Sequence, residues 1–213
     1  MSKIRIALTK GRLEKDTVQL LQSIGYDCTQ VMEKGRRLIL PVGDDMEVVL
    51  AKAADVITYV EHGVCDLGVV GKDTIIEAGG NFYEIIDLGF GKCRFAVAGK
   101  VGEDVFSGFG TKTIATKYPN VARRHFEARG MDVNIIKIEG SVELAPLLHL
   151  ADAIVDIVET GSTLRENGLE VKEEICPISA RLICNIASMK LHKDSIEKLV
   201  AEIETALNNT PKG

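Results

Sequence analysis

One stretch of the chain combines carboxylates with small hydroxyl residues in a pattern suited to a phosphorylated sugar. An apolar run from Ala153 to Val158 predicts a buried strand that carries one acid, Asp156, in its interior. Glu159 follows, and a helix is predicted to open at Thr160-Gly161-Ser162-Thr163. Backbone N–H groups, hydroxyl donors and a helix dipole bind phosphate, and carboxylates accept hydrogen bonds from sugar hydroxyls. An ordinary helix start with a Ser or Thr cap would use the same residues.

A second candidate anion site follows the first predicted strand. Lys10, Gly11 and Arg12 stand where that strand ends and a helix begins. Gly11 would allow close approach of a ligand to the backbone. Cations at a helix N-terminus oppose the helix dipole, so their placement favours an anionic ligand such as a polyphosphate over a plain basic helix start.

Two more residues stand at the ends of predicted elements. Gly71 closes a predicted strand over residues 66–71, and Glu143 stands near the start of a predicted helix over residues 142–150. Ser141 and Glu143 are one residue too close to form a capping box, which would leave the Glu143 carboxylate available to a ligand. A solvated acid in the first helical turn remains the alternative interpretation of Glu143.

Short β-branched runs alternate with helical stretches, which predicts an α/β fold with mostly parallel strands. The pattern repeats, and it indicates two α/β lobes: lobe I over residues 1–90 plus 178–213, and lobe II over residues 91–177. Ligands bind such sheets at the carboxyl ends of the strands, so we expect the site in a cleft between the lobes. The predicted strands are 3–8, 38–42, 66–71, 85–88, 94–97, 112–116, 134–138, 153–158 and 180–187. The predicted helices are 13–24, 54–60, 119–129, 142–150, a short helix from 163, and 193–208.

The composition narrows the class of protein. The net charge is −5 with no long basic run, so nucleic acid is not predicted as a partner. No apolar stretch is long enough to span a bilayer, so we expect no membrane partner. The N-terminus lacks the apolar length and the cleavage site of a signal peptide, so we expect a cytoplasmic protein. The five cysteines are scattered without Cys-x-x-Cys spacing, which predicts reduced thiols and no zinc site.

Seven segments, in order, resemble the ATP phosphoribosyltransferase family in its short form. The resemblance implies a two-lobed fold similar to type II periplasmic binding proteins, with an interlobe active-site cleft. It also implies a pentosyltransferase reaction: ATP, through N1 of its adenine, attacks 5-phosphoribosyl 1-diphosphate (PRPP), which gives N1-(5-phosphoribosyl)-ATP and pyrophosphate in the first step of histidine biosynthesis. The matching segments are Ala7–Arg12, Asp55–Gly63, Cys65–Asp73, Asp87–Arg94, Ile114–Pro119, Gly140–Pro146 and Asp156–Leu169.

The resemblance also implies roles for individual residues. PRPP would be bound by Glu143 and Asp156 at the ribose hydroxyls, and by Glu159, Thr160, Gly161, Ser162 and Thr163 at the 5′-phosphate. The ATP and pyrophosphate side would include Lys10, Gly11, Arg12 and Gly71. Catalytic cations would come from Lys10, Arg12, Arg36, Arg37 and Lys52. Which of Arg36 and Arg37 corresponds to the family's basic residue stays open. Lys52 stands where many members carry arginine, whose planar fork lysine does not reproduce.

The resemblance finally implies a cofactor and a partner. Mg²⁺ would be carried by PRPP, with no ligand supplied directly by the protein. The short form would assemble as a hetero-oligomer with a regulatory subunit similar to histidyl-tRNA synthetase. Two other classes of protein remain as alternatives: a non-enzymatic solute-binding protein with the same two-lobed fold, and a phosphoribosyltransferase that acts on another base.

Overall fold

The computed structural model describes residues 3–108 and 110–209, and the chain divides into two compact units. Unit 1 consists of Met1–Gly91 and Ser179–Gly213, and unit 2 of Lys92–Ile178. Residues 1, 2 and 210–213, which the predicted lobe I includes, lie outside the described residues. The chain therefore passes twice from one unit to the other, at residues 91–92 and 178–179.

The elements are numbered in chain order. The strands are β1 (Ile4–Thr9), β2 (Ile39–Val42), β3 (Met46–Ala51), β4 (Leu67–Gly71), β5 (Tyr83–Asp87), β6 (Cys93–Lys100), β7 (Lys112–Thr116), β8 (Val133–Lys137), β9 (Ala153–Val158), β10 (Leu169–Ile178) and β11 (Ala180–Cys184). The helices are α1 (Arg12–Ser23), α2 (Thr29–Met32), α3 (Ala53–Glu61), α4 (Lys72–Ala78), α5 (Pro119–Ala128), α6 (Leu144–Leu147), α7 (Ser162–Glu166), α8 (Ser188–Leu191) and α9 (Lys193–Asn209).

Unit 1 contains a six-stranded sheet in the order β2-β3-β1-β4-β11-β5, with helices on both faces. Side chains alternate along a strand, so the two faces of β1 enter different cores. Ile6 and Leu8 pack in a cluster with residues of α1 and α9, whereas Ala7 packs in a second cluster with Val56 and Val60 of α3. Burial of each large side chain stabilises the folded state by about 1.5–3 kcal/mol, so the central strands are stably packed where the loops at the sheet edge begin.

Unit 2 contains a five-stranded sheet in the order β10-β6-β9-β7-β8. Strand β9, the predicted apolar run, lies in the middle of the sheet, parallel to β7 and antiparallel to β6. Ile154 of β9 packs in a buried cluster with Ala98, Ala115 and Leu164. The loop after β9 therefore starts from a buried strand at the centre of the sheet.

The prediction of mostly parallel strands is wrong. Of the nine strand pairings among the described residues, four are parallel and five are antiparallel. Two strands were not predicted from the sequence. Strand β3 forms an antiparallel pair with β2 after a short turn. Strand β10 is an edge strand with the sequence Leu-Glu-Val-Lys-Glu-Glu-Ile-Cys-Pro-Ile. Charged residues such as these are common on edge strands, where they discourage pairing with another chain.

The helix predicted over residues 142–150 is reduced to the four residues of α6. His149 has φ of 57°, in the left-handed region, which ends any helix at that point. The leucine pattern over this stretch resembled a buried helical face, but Leu144, Leu148 and Leu150 are at least half exposed. The apolar periodicity therefore overstated the length of the helix.

No helix in the described part of the chain combines the length and the apolar character that crossing a membrane requires.

The five cysteines fall into two groups of different exposure. Cys28, Cys65 and Cys184 are buried, and burial raises the pKa of each thiol to about 11, whereas Cys93 and Cys176 are partly exposed. Because the thiolate is the nucleophile, we expect two thiols of the native protein to react rapidly with Ellman's reagent and the other three only after unfolding. A variant with both Cys93→Ser and Cys176→Ser should lose the rapid phase entirely. A third rapid thiol in the native wild type would contradict this assignment.

His125 on α5 should make the stability of the protein depend on pH. Burial lowers the pKa of His125 from its usual 6.5; the Glu173 carboxylate raises it and the Arg129 guanidinium lowers it. As the pH falls through 6.5, the unfolded chain gains a proton at this residue before the folded chain does, so the free energy of unfolding decreases. We expect Tm to fall between about pH 7.5 and pH 5.5, and to fall less in His125→Gln. Equal losses of Tm in the two proteins would exclude His125 as a source.

Candidate active site

The polar residues predicted in unit 1 meet at one edge of its sheet. Strands β3, β1 and β4 are parallel neighbours, with Thr9 paired to Ala51 and Leu8 to Val69, so their carboxyl ends lie side by side. Lys10 follows β1, Lys52 follows β3, and Gly71 ends β4. The Lys10 N–H donates to the Ala51 carbonyl at 2.9 Å, which ties the first two loops together.

Arg36 and Arg37 reach the same edge from β2. Ile39 pairs antiparallel with Val49, and the Leu50 N–H donates to the Leu38 carbonyl at 2.8 Å, so the segment before β2 runs along the carboxyl end of β3. We call Lys10, Arg12, Arg36 and Lys52 the basic edge; all four are exposed. Four cations at the ends of adjacent strands, beside the N-terminus of α1, suit a polyphosphate.

The two neighbouring arginines differ in their contacts. Arg37 donates from Nη1 to Gln30 Oε1 at 2.9 Å, from Nη2 to the Glu33 carbonyl at 3.2 Å and from Nε to the Lys34 carbonyl at 3.3 Å. These bonds satisfy carbonyls at the end of α2. Within residues 3–108 and 110–209, Arg36 makes no hydrogen bond or ion pair. Arg37 is therefore held by local hydrogen bonds, whereas the Arg36 side chain is exposed to solvent.

Glu14, which the sequence analysis overlooked, holds the start of α1. The Gly11 N–H donates to Glu14 Oε2 at 3.3 Å, and Lys34 Nζ is hydrogen-bonded to Glu14 Oε1. Gly11 has φ of 102°, which only glycine adopts without strain, and the Glu14 side chain is buried. A signal was present: Glu14 stands three residues after Gly11, at the spacing of a capping-box acid.

The residues predicted in unit 2 line one cavity of about 320 Å³ at the carboxyl end of β9. We call it the loop cavity. The predicted residues that line it are Glu143, Asp156, Glu159, Thr160, Gly161, Ser162 and Thr163. Its apolar wall includes Ala98, Ile154 and Leu164. A polar loop and three carboxyl groups over an apolar floor suit a small polyhydroxy phosphate better than an apolar ligand.

The loop after β9 combines a left-handed glycine with hydroxyl side chains. Gly161 adopts the left-handed conformation with φ of 72° and immediately precedes α7. Thr160 Oγ1 lies 3.0 Å from Ser162 Oγ and accepts a hydrogen bond from the Ser162 N–H at 3.3 Å. The loop therefore brings hydroxyl groups and a left-handed glycine together directly before a helix.

Protein ligands for a metal are not clustered in the described residues. Over residues 3–108 and 110–209, no group of three or more His, Cys, Asp or Glu side chains is arranged to hold a metal ion. The arrangement separates two kinds of chemistry: cations at the sheet edge of unit 1, and hydroxyls, amides and carboxylates in the loop cavity of unit 2.

The chain has an α/β fold of the type II periplasmic-binding-protein kind, with polar groups at the carboxyl ends of its strands. In fold, the chain is similar to the periplasmic aliphatic sulphonate binding protein SsuA of Escherichia coli, with a TM-score of 0.61 and 13% identity, over 97% of this chain and 73% of that one. It is also similar to a chain of the ATP phosphoribosyl transferase (HisG:HisZ) complex from Thermotoga maritima, with a TM-score of 0.85 and 32% identity, over 97% of this chain and all of that one.

Sequence comparison identifies the family. Residues 52–205 match the family described as ATP phosphoribosyltransferase, HisG. An ATP phosphoribosyltransferase of Clostridium kluyveri is 58% identical over 211 residues, which cover 99% of this chain and 96% of the relative. One of Clostridium acetobutylicum is 56% identical over 202 residues, which cover 94% of each. The chain belongs to the ATP phosphoribosyltransferase family, which confirms the resemblance. The similarity to the two solved structures confirms the predicted α/β fold of the type II periplasmic-binding-protein kind.

Proposed function

We propose that this chain is an ATP phosphoribosyltransferase that catalyses the first step of histidine biosynthesis. N1 of the adenine of ATP attacks C1 of the PRPP ribose, and the bond from C1 to pyrophosphate breaks. The observation that carries the proposal is family membership over nearly the whole chain, with relatives of that name at 58% and 56% identity. The polar residues gathered at the carboxyl ends of the strands support it.

The loop cavity is the proposed site for the sugar and 5′-phosphate of PRPP. Thr160 to Thr163 offer hydroxyl and N–H donors at its rim, which suits the phosphate. Glu143 and Asp156 line the same cavity, and carboxylate oxygens can accept hydrogen bonds from ribose hydroxyls. Glu159 joins the two groups, since it follows β9 directly and precedes the loop.

The basic edge is the proposed site for ATP and the departing pyrophosphate. Lys10, Arg12 and Lys52 supply cations there, and Gly11 and Gly71 allow the ligand to approach the backbone. Between the two neighbouring arginines, we assign the role to Arg36, because Arg37 is engaged at the end of α2. Lys52 acts as a point charge, without the planar fork of an arginine.

The proposed mechanism depends on charge and position, with no general base. The adenine N1 attacks with a lone pair it already carries, so no proton has to be removed for the new bond to form. Departure of pyrophosphate leaves positive charge on the ribose and negative charge on the leaving group. Cations of the basic edge stabilise the leaving group, and carboxylates of the loop cavity lie at the sugar. Holding both substrates in register supplies much of the remaining acceleration.

Magnesium enters this proposal as part of the substrate. A polyphosphate such as PRPP binds Mg²⁺ through its own oxygens, and Mg²⁺ keeps several water ligands rather than seeking an all-protein site. The bound ion would add positive charge at the pyrophosphate.

We also propose a cytoplasmic hetero-oligomer with a regulatory subunit similar to histidyl-tRNA synthetase. The support is the similar chain from Thermotoga maritima, whose structure is of a HisG:HisZ complex. Co-expression of the two chains followed by size-exclusion chromatography tests this point. Elution of each chain at its own mass would contradict it.

The decisive experiment follows adduct formation from PRPP, Mg²⁺ and ATP by absorbance, with and without the regulatory subunit. We expect an adduct with ATP and pyrophosphate release in equal amount. An adduct only with another base would support a different phosphoribosyltransferase, and binding of PRPP without any product would support a solute-binding protein. Either of these outcomes would overturn the proposal.

A further inference from the structure

We propose that Arg94 and Arg165 are positioning residues that orient the backbone of the loop after β9, so that its N–H groups are presented to the phosphate of PRPP. The inference rests on the proposed function of the loop cavity and deepens it. Neither arginine was among the site residues predicted from the sequence. Each one holds a different backbone carbonyl of the loop.

The contacts come from two sides of the loop. Arg94 lies on β6 opposite Val158, the last residue of β9, and its Nη1 donates to the Glu159 carbonyl at 3.3 Å. Arg165 lies on α7, and its Nη1 donates to the Thr160 carbonyl at 3.0 Å. Two consecutive carbonyl oxygens at the start of the loop are thus bound by guanidinium groups.

Because a peptide unit is planar, these two contacts also fix the directions of two N–H groups. In a trans peptide, the carbonyl of one residue and the N–H of the next point in opposite directions. Fixing the Glu159 carbonyl therefore fixes the Thr160 N–H, and fixing the Thr160 carbonyl fixes the Gly161 N–H. Both N–H groups point away from the arginines. If either peptide plane turned over, it would present a carbonyl oxygen to the phosphate, which repels an anion.

Each guanidinium also lies close to a second group. Arg94 Nε lies 2.7 Å from Glu174 Oε1, so the carboxylate partly offsets the charge of the guanidinium. A Cβ placed on Gly161 would lie 3.3 Å from Arg165 Nη1, so this guanidinium lies close against the glycine. Arg165 also donates its backbone N–H to the Gly161 carbonyl, within α7. The arginines thus act on the phosphate through the loop backbone.

The test compares Arg94→Ala and Arg165→Ala with the wild type in steady-state kinetics and in PRPP calorimetry. Loss of a charge-assisted hydrogen bond should raise the KM and Kd for PRPP about tenfold in each variant. The KM for ATP should stay within about twofold, because ATP is assigned to the basic edge. Arg165→Lys, which can still donate to the Thr160 carbonyl, should recover part of the affinity.

Two matched variants separate positioning from general stabilisation. Glu174→Gln removes the negative charge beside Arg94 Nε but leaves the Nη1 donor that binds the Glu159 carbonyl, so the KM for PRPP should stay within about twofold of the wild type. Arg129→Ala removes an exposed arginine that pairs with Glu173 and lies 4.5 Å over the Phe106 ring. It should lower Tm without raising the KM for PRPP. A purely structural role for Arg94 and Arg165 would give this same pattern.

The outcomes distinguish this inference from the proposed function. A wild type that makes the adduct, with unchanged KM and Kd for PRPP in both alanine variants, overturns the inference alone. A wild type that binds PRPP without turnover overturns the proposed reaction, and the Kd values still decide the inference. A wild type that does neither overturns both. If Arg94→Ala fails to fold, Arg165→Ala decides, because Arg165 is exposed on a short surface helix.

Discussion

Arg12→Ala is expected to lower kcat/KM for adduct formation by about 10²–10³-fold, the usual cost of removing one group that stabilises developing negative charge. The same substitution should barely change stability. Arg12 is exposed at the start of α1, and its Nε lies 3.9 Å from Asp16 in a pair of the i,i+4 type. Such exposed pairs contribute about 0.3–0.5 kcal/mol. The prediction is checked by steady-state kinetics alongside thermal unfolding.

A matched control for Arg12 lies on the same helix. Lys15 is also exposed, one turn further along α1, and has no assigned role. Lys15→Ala should keep wild-type kinetics, while Lys10→Ala should lose activity as Arg12→Ala does. If Arg12→Ala retained wild-type turnover, the basic edge would not be the pyrophosphate site.

Asp156→Asn is expected to lower kcat/KM for PRPP by about 10–100-fold, with little change in the KM for ATP. The reason is that a hydrogen bond to an ionised group is worth about 1.5–3 kcal/mol, more than one to a neutral amide. Asp156 lies within β9, paired opposite Ala96, and lines the loop cavity, so the amide keeps the shape of the side chain and removes only its charge. Initial rates with PRPP varied at saturating ATP measure the effect.

The control for Asp156 is Glu166→Gln. Glu166 is an exposed acid on α7 that does not line the loop cavity, so the same acid-to-amide change should leave the KM for PRPP unaltered. An equal rise in both variants would mean that overall charge, rather than contact with the ribose, determines PRPP affinity. An unchanged Asp156→Asn enzyme would remove Asp156 from the proposed site.

Much of the fold could be predicted from local signals. The strand Lys112–Thr116 and the strand Ala153–Val158 were predicted with the bounds that the structure shows. Buried central strands are easy to recognise because both of their faces are apolar. β10 was missed because an edge strand need not be apolar on both faces, and its charged residues obscure the alternation of apolar and polar positions that marks a strand. The helix predicted at 142–150 failed for the opposite reason, because exposed leucines imitated a buried face.

Some residues of the candidate site could likewise be proposed from the sequence, and others could not. Residue types were enough to propose Lys10, Arg12 and the loop from Glu159 to Thr163, because phosphate chemistry requires cations, small hydroxyl residues and glycine at helix starts. The sequence offered no way to choose between Arg36 and Arg37, since the choice depends on which guanidinium is engaged by the end of α2. Glu14 was overlooked because a first-turn acid is an ordinary feature of helices.

The sequence by itself was enough to identify the family, through the seven matching segments, and to predict a ligand that carries phosphate, because both inferences depend on residue types and on spacings along the chain. Only the tertiary structure placed Lys10, Lys52 and Gly71 at one sheet edge, since that depends on β1 lying between β3 and β4. It alone showed Arg94 and Arg165 on consecutive carbonyls of one loop. Contacts between residues as far apart in sequence as 94 and 159 arise from strand pairing, which no local pattern of residues encodes.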